Sequence, residues 1–165
     1  MHRLRRAATL ALSGIAALLI TVSTASPAHA WTFSGWVTVY NGDDLCVQGQ
    51  AGIDHAVPGT ASENLAYAAT QALTEGCGAA LGNRLAAVRL DVFRWTGTTW
   101  LVCRSTEWTY GTTAGQGVPN GPSQAFNYGG AVCGSGNYGT MAYAFVLDGA
   151  QWRGGAVWSG SEFLP

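Results

Sequence analysis

Lysine is absent from this 165-residue sequence, and charged residues of all kinds make up only 10% of it. All eight basic residues are therefore arginines. Without lysine, catalysis through a Schiff base has no amine to use. The five arginines after residue 30 are scattered and are outnumbered by nine acidic residues, which gives a formal charge of −4. Binding to a phosphate backbone needs a basic patch, so nucleic acid is not expected as a partner.

The first 30 residues have the pattern of a secretory signal peptide. A basic start, MHRLRR, precedes an uncharged apolar run over residues 7–22, and the segment ends in the A-x-A pattern Ala28-His29-Ala30. The apolar run is shorter than the ~20 residues that a membrane-spanning helix needs. We predict cleavage after Ala30 and a secreted, single-domain protein over residues 31–165 that has no membrane contact after cleavage.

Histidine is scarce as well, because only His55 follows the predicted cleavage site. It lies in a loop rich in Gly and Pro, AGIDHAVPGT, and no G-x-S-x-G turn or free cysteine offers a nucleophile. We predict that His55 is a surface loop residue and name no catalytic residue. Glu107, Asp148 and Glu162 lie near aromatic residues, and two carboxylates suffice for glycoside hydrolysis. A small glycoside hydrolase is therefore kept as the less favoured alternative.

No cofactor or metal site is expected from the motifs of the chain. Asp43-Asp44 after Asn41-Gly42 is similar to a fragment of a calcium loop, but the later ligands of an EF-hand are missing. The sequence therefore favours a turn at this position.

Four cysteines, Cys46, Cys77, Cys103 and Cys133, are an even set that is typical of disulfides in an exported protein. They contain no C-x-x-C pair and have one accompanying histidine, which disfavours a zinc site. Four cysteines allow three pairings, and the sequence does not choose among them. We favour pairing Cys46 with Cys77 and Cys103 with Cys133, because each bridge then closes one sequence-local module.

Three segments share a hairpin pattern in which a four-residue turn, with Gly second, lies between two large apolar residues. The turns are NGDD between Tyr40 and Leu45, TGTT between Trp95 and Trp100, and DGAQ between Leu147 and Trp152, and each flanking pair is expected to face each other across the two strands. Alternating residues around Val88, Leu90 and Val92 also indicate strands. These patterns predict a mainly β fold, an antiparallel sandwich or open barrel.

One segment, residues 61–75 (ASENLAYAATQALTE), departs from this β pattern. Leu65, Ala69, Ala72 and Leu73 fall on one face of a helix, and Gly76 follows as a stop. The segment predicts a single short helix that covers one side of the sheet.

Aromatic residues are abundant, with 18 of them after residue 30. Flat rings stack on sugars, and the amides and hydroxyls of residues 107–138 suit sugar hydroxyl groups. The sequence favours a non-enzymatic protein that binds cell-wall or environmental polysaccharide through the exposed aromatic residues Trp108, Tyr110, Tyr128 and Trp158. The alternative is a protein-interaction module, such as a protease inhibitor, that binds an extracellular protein through a loop over residues 112–127.

Two strings in the second half of the chain resemble small secreted actinomycete proteins that have no established activity. They are VFRWTGTTWLVCR over residues 92–104 and YGTMAYAFVLDGAQWRGGAVWSG over residues 138–160. The resemblance implies secretion and carries no catalytic residues.

Overall fold

A computed structural model describes residues 31–55, 64–115, 119–128 and 133–164, so the predicted signal peptide lies outside the described residues. The described chain forms two antiparallel sheets that pack face to face and do not close into a barrel. The predicted mainly β, antiparallel sandwich is therefore confirmed.

The described strands, in chain order, are β1 (Thr32–Phe33), β2 (Val37–Asn41), β3 (Cys46–Ile53), β4 (Leu65–Leu73), β5 (Gly82–Trp95), β6 (Trp100–Ser105), β7 (Thr109–Ala114), β8 (Ser123–Asn127), β9 (Gly136–Asp148), β10 (Gln151–Trp158) and β11 (Glu162–Leu164). The first sheet has the order β1-β3-β4-β8, and β2 also pairs with β3. The second sheet has the order β10-β9-β5-β6, with β7 also on β5 and β11 also on β9.

The three predicted hairpins are present. The flanking apolar residues pair as predicted at the second and third turns, where Trp95 pairs with Trp100 and Leu147 with Trp152. At the first turn the register differs, since Asn41 pairs with Cys46 and Tyr40 pairs with Val47 and not with Leu45. Gly97 and Gly149 hold the positive φ values, 99° and 59°, that these tight connections require. Asp43 and Asp44 are exposed residues in the first turn, as predicted.

The predicted helix over residues 61–75 is wrong. Residues 61–63 lie outside the described part, and the remainder forms the strand β4 followed by a single 3-10 turn at Glu75–Cys77. Alanine favours helices in isolation, but β4 lies between β3 and β8 with both of its faces largely buried. The tertiary pairing therefore overrides the local helix preference.

Small residues let the two sheets approach closely. Ala66, Ala68, Thr70 and Ala72 alternate along β4 and are fully buried. A Cβ atom on Gly49 of β3 would lie 2.8 Å from the Ala144 methyl group of β9, so this contact needs glycine. Larger side chains fill the rest of the main core, which includes Ile53, Val88, Leu90, Val92, Tyr128, Tyr138, Val157 and Leu164.

Two disulfides join Cys46 to Cys77 and Cys103 to Cys133, which confirms the favoured pairing. Each closes a loop between neighbouring segments, with sequence separations of 31 and 30 residues. Such bridges are typical of proteins in an oxidising compartment. Within the described ranges, the structure contains no helix with the length and apolar character needed to span a bilayer.

Candidate functional site

The face of the second sheet that points away from the first sheet carries a large share of the aromatic residues. Side chains alternate between the two faces of a strand, so residues in register across neighbouring strands share a face. Phe145 of β9 pairs with Ala87 of β5, and Ala87 pairs in turn with Tyr110 of β7. Trp152 of β10 lies on the same face, with its ring centroid 6.0 Å from that of Tyr110. We call this surface the outer face.

A groove of about 300 Å³ opens on the outer face, and we call it the aromatic groove. Its volume lies at the lower end of the range for small-ligand sites, roughly 300–1,000 Å³. Ala87 forms a short floor, so the neighbouring rings rise above it as walls. The residues that line it are Ala87, Trp108, Tyr110, Phe145 and Trp152.

The rings of the aromatic groove are both ordered by contacts and accessible to solvent. Trp108 packs edge-to-face on Phe145, with 5.8 Å between ring centroids and 70° between their planes. The exposed fractions are 60% for Tyr110, 42% for Trp152 and 37% for Trp108. The groove therefore presents large apolar surfaces that are already held in place before any ligand binds.

An ion pair fixes one side of the groove. The Arg89 guanidinium lies 5.6 Å from the Trp108 ring centroid and 4.8 Å from that of Tyr143, and it donates from Nη2 to Asp91 Oδ2 at 2.8 Å. Asp91 is only 4% exposed. Burial raises the pKa of Tyr143, and the nearby charge of Asp91 raises it further. Cation–π contacts of this kind hold the two rings, and the ion pair adds no net charge to the groove.

A second aromatic group occupies the other end of the outer face, and we call it the tryptophan patch. It consists of Phe93, Trp95, Trp100 and Trp158. The centroid distances are 5.5 Å for Trp95–Trp100, 4.8 Å for Trp100–Trp158 and 5.8 Å for Phe93–Trp158. A Cβ atom on Gly139 would lie 2.2 Å from the Trp158 ring, so glycine lets this indole lie against the sheet.

The four aromatic residues predicted to bind ligand lie in three different places in the structure. Trp108 and Tyr110 meet in the aromatic groove, and Trp158 is half-buried in the tryptophan patch. The expectation of an exposed Tyr128 is wrong, because this side chain is 1% exposed in the core. Its hydroxyl donates to the Asp54 carbonyl at 2.8 Å, and its ring stacks on that of Tyr138.

Phe145 and Trp152 were not predicted from the sequence as groove residues. Trp152 was predicted only as the closing residue of a hairpin. The four strands that supply the groove are brought together by sheet register, which no local motif encodes. The row of large residues that alternate along β9, Tyr143, Phe145 and Leu147, was the available signal.

The three acids considered for hydrolysis are not gathered in one site. Glu162 pairs with Tyr138 near the start of β9, whereas Asp148 ends the same strand. At about 3.3 Å per residue, ten residues of strand separate these positions by roughly 33 Å. Glycosidase carboxylates lie within about 10 Å of each other. Glu107 is exposed next to Trp108 in the connection between β6 and β7.

His55 joins the two sheets. Its Nδ1 atom lies 2.7 Å from Glu162 Oε2, and Thr32 donates to the other carboxylate oxygen, Oε1, at 2.6 Å. Asp54, His55 and Glu162 offer ligand-type atoms within 4.8 Å of one another. Both oxygens of Glu162 are already occupied by Thr32 and His55, so the contacts of this cluster tie β1 and the end of β3 to β11.

The segment 112–127, proposed in the alternative as a binding loop, is largely tied into the sheets. It includes the end of β7 and the whole of β8, and Asn120 between them is 2% exposed. Residues 116–118 lie outside the described part.

Comparison with protein-family models, curated proteins and solved structures finds no match for this chain. The candidate site therefore depends on the geometry of the outer face.

Proposed function

We propose that this protein is exported and binds carbohydrate outside the cell, with a sugar ring held in the aromatic groove. The observation that carries the proposal is the pair of solvent-accessible rings, Tyr110 and Trp152, which contact each other with 6.0 Å between centroids and present ring surface to solvent beside Ala87. A sugar presents an apolar face of C–H groups that packs on an aromatic ring, while its hydroxyl groups stay in contact with water. The two disulfides and the signal-like residues 1–30 support export.

The proposal is for a binding protein and not for an enzyme. The groove is lined by apolar and aromatic side chains, and the charged residues Arg89 and Asp91 beside it form an ion pair with each other. Acid–base hydrolysis would need two opposed carboxylates beside the sugar.

Binding of the secreted form, residues 31–165, to a glycan array tests the proposal, followed by calorimetry with the best ligand. We expect Trp152→Ala and Tyr110→Ala each to weaken binding about tenfold or more, which corresponds to about 1.4 kcal/mol. The matched control is Phe33→Ala, since Phe33 is 45% exposed and lies on β1 of the other sheet. Absence of any glycan binding, or equal affinity in the groove variants and the wild type, would contradict the proposal.

A further inference from the structure

We infer that the ligand is an extended, uncharged β-1,4-linked polysaccharide that runs along β10 from the aromatic groove to the tryptophan patch. This inference rests on the proposed function and specifies its ligand class. It makes one binding surface of two aromatic groups that lie at opposite ends of the same sheet face.

The strand β10 connects the two groups. Trp152 and Trp158 lie six residues apart on it and point to the outer face, so roughly 20 Å of strand separates them. Gly154 and Ala156 are the residues of the same face between them. Because neither carries a long side chain, a shallow trough with a tryptophan at each end follows the strand.

The neighbouring strand borders this trough. Tyr143 and Phe145 of β9 pair with Ala156 and Gly154, so larger side chains lie beside the smallest ones. The strand β10 is at the edge of its sheet, so β9 borders the trough on one side. A trough that is open at its ends suits a chain that continues in both directions. A β-1,4-linked chain has an extended, ribbon-like shape with sugar faces available for stacking.

The charge of the outer face selects an uncharged ligand. Arg89 and Asp91 are the charged residues that β5 directs outward, and they neutralise each other at 2.8 Å. Within the described residues, β6, β7, β9 and β10 add no charged side chain to this face, since Arg104, Asp148 and Arg153 belong to the opposite set of alternating positions. The exposed Glu107, next to Trp108, adds a negative charge beside the aromatic groove. A polyuronate or another anionic polymer would find no counter-charge there.

Dependence of affinity on chain length distinguishes this inference from binding of a single sugar. The probes are the disaccharide, tetrasaccharide and hexasaccharide of β-1,4-linked glucose, N-acetylglucosamine and xylose, measured by calorimetry. In the best series we expect the hexasaccharide to bind at least tenfold more tightly than the disaccharide, because only the longer chain reaches both aromatic groups. A polyuronate of similar length should bind more weakly than the neutral chain.

Two variants test whether the surface beyond the aromatic groove contributes to binding of the longer chain. We expect Trp158→Ala to lower hexasaccharide affinity to near that of the disaccharide, because the longer chain then loses its contact with the tryptophan patch. Ala156→Arg should have the same effect, and its exposed position makes it tolerable to the fold. Ala125→Arg, at an exposed position of β8 in the first sheet, is the matched control and should bind as the wild type does.

Each outcome has a distinct meaning. Equal affinity for short and long chains, or unchanged hexasaccharide affinity in a folded Ala156→Arg variant, would overturn the extended-chain inference and leave the groove proposal standing. Tighter binding of the polyuronate than of the neutral chain would contradict the inference that the ligand is uncharged. Absence of binding to every probe would remove the proposed function itself. Dimerisation that Ala156→Arg abolishes, measured by sedimentation, would instead assign the outer face to a second copy of the chain.

Discussion

Tyr128 illustrates how one residue can be polar and yet belong to the core. Its side chain is fully buried, its hydroxyl donates to a carbonyl oxygen, and its ring stacks on that of Tyr138. Burial raises the pKa of Tyr128 well above its usual value of 10, and the charges of Glu162 and Asp54 raise it further. The folded protein therefore keeps this proton under conditions in which an exposed tyrosine loses it.

The raised pKa makes stability depend on alkaline pH. Above pH 10 the unfolded chain loses the Tyr128 proton while the folded chain retains it, so the free energy of unfolding falls by up to about 1.4 kcal/mol per pH unit from this group. Below pH 10 Tyr128 is protonated in both states, so the free energy of unfolding does not depend on pH through this group. Burial also raises the pKa values of Tyr67 and Tyr143, which adds to the slope in the same direction.

Urea denaturation of the wild type and Tyr128→Phe between pH 7 and 12 tests this expectation. The variant should lose about 1 kcal/mol at neutral pH, since it lacks the hydrogen bond to Asp54, and its stability should decline less steeply above pH 10. Parallel pH profiles in the two proteins would show that Tyr128 titrates normally in the folded state.

At the scale of elements, β4 and its flanks show what a local pattern can and cannot predict. The hairpins were predictable because a turn and its two flanking residues are contiguous in the sequence. The strand β4 was not, because its alanines suit a helix of period 3.6 as well as a strand of period 2. Pairing with β3, nearly 20 residues earlier, and with β8, more than 50 residues later, decides between them.

The edge of β4 beyond the end of β8 is contacted by an asparagine side chain. The strand β8 pairs with β4 as far as Ala69, and the Thr70 amide then donates to the Pro122 carbonyl. Beyond that point, the Asn120 side chain bonds both backbone groups of Ala72, and the Leu81 amide also donates to the Ala72 carbonyl. The Asn120 Nδ2 donates to the Ala72 carbonyl at 2.7 Å, and its Oδ1 accepts from the Ala72 amide at 2.9 Å.

We expect Asn120→Ala to lower the free energy of unfolding by about 1–3 kcal/mol, because it leaves the buried Ala72 amide without its partner. The Ala72 carbonyl loses one donor but still accepts from the Leu81 amide. Asn120→Asp should be at least as harmful, since it removes the donor and sets a carboxylate against the carbonyl oxygen. The control is Asn137→Ala, at an exposed position of β9, which should change stability by less than about 0.5 kcal/mol. Denaturant unfolding gives all three values, and a near-neutral Asn120→Ala would mean that this edge needs no partner.

At the scale of the whole molecule, the candidate site and the contacts between the sheets are products of topology. The aromatic groove takes residues from four strands, and the His55–Glu162 contact joins positions 107 residues apart. The abundance of aromatic residues led to the prediction of an aromatic binding surface, and Trp108 and Tyr110 were correctly predicted to be exposed. Composition could not distinguish them from Tyr128, because burial depends on which side of its sheet a ring lies.

The disulfides stabilise the molecule as a whole because they restrict the conformations of the unfolded chain. The chain-entropy account predicts that each bridge, by closing a loop of about 30 residues, stabilises the fold by about 3.5–4 kcal/mol. That is a large share of the roughly 5–15 kcal/mol by which a domain is stable. Because the two loops have nearly equal lengths, their contributions should also be nearly equal.

Removing each bridge separately tests that equality. We expect the double variants Cys46→Ala/Cys77→Ala and Cys103→Ala/Cys133→Ala to lose similar free energies of unfolding in urea. Each loss should appear mainly as a shift in midpoint, with a larger slope because the uncrosslinked chain exposes more surface when unfolded. A clearly smaller loss for one variant would mean that its loop keeps local structure without the bridge. The Cys46–Cys77 loop is the candidate for that behaviour, because it contains the antiparallel pair β3 and β4, whose mutual hydrogen bonds already hold its two ends near each other.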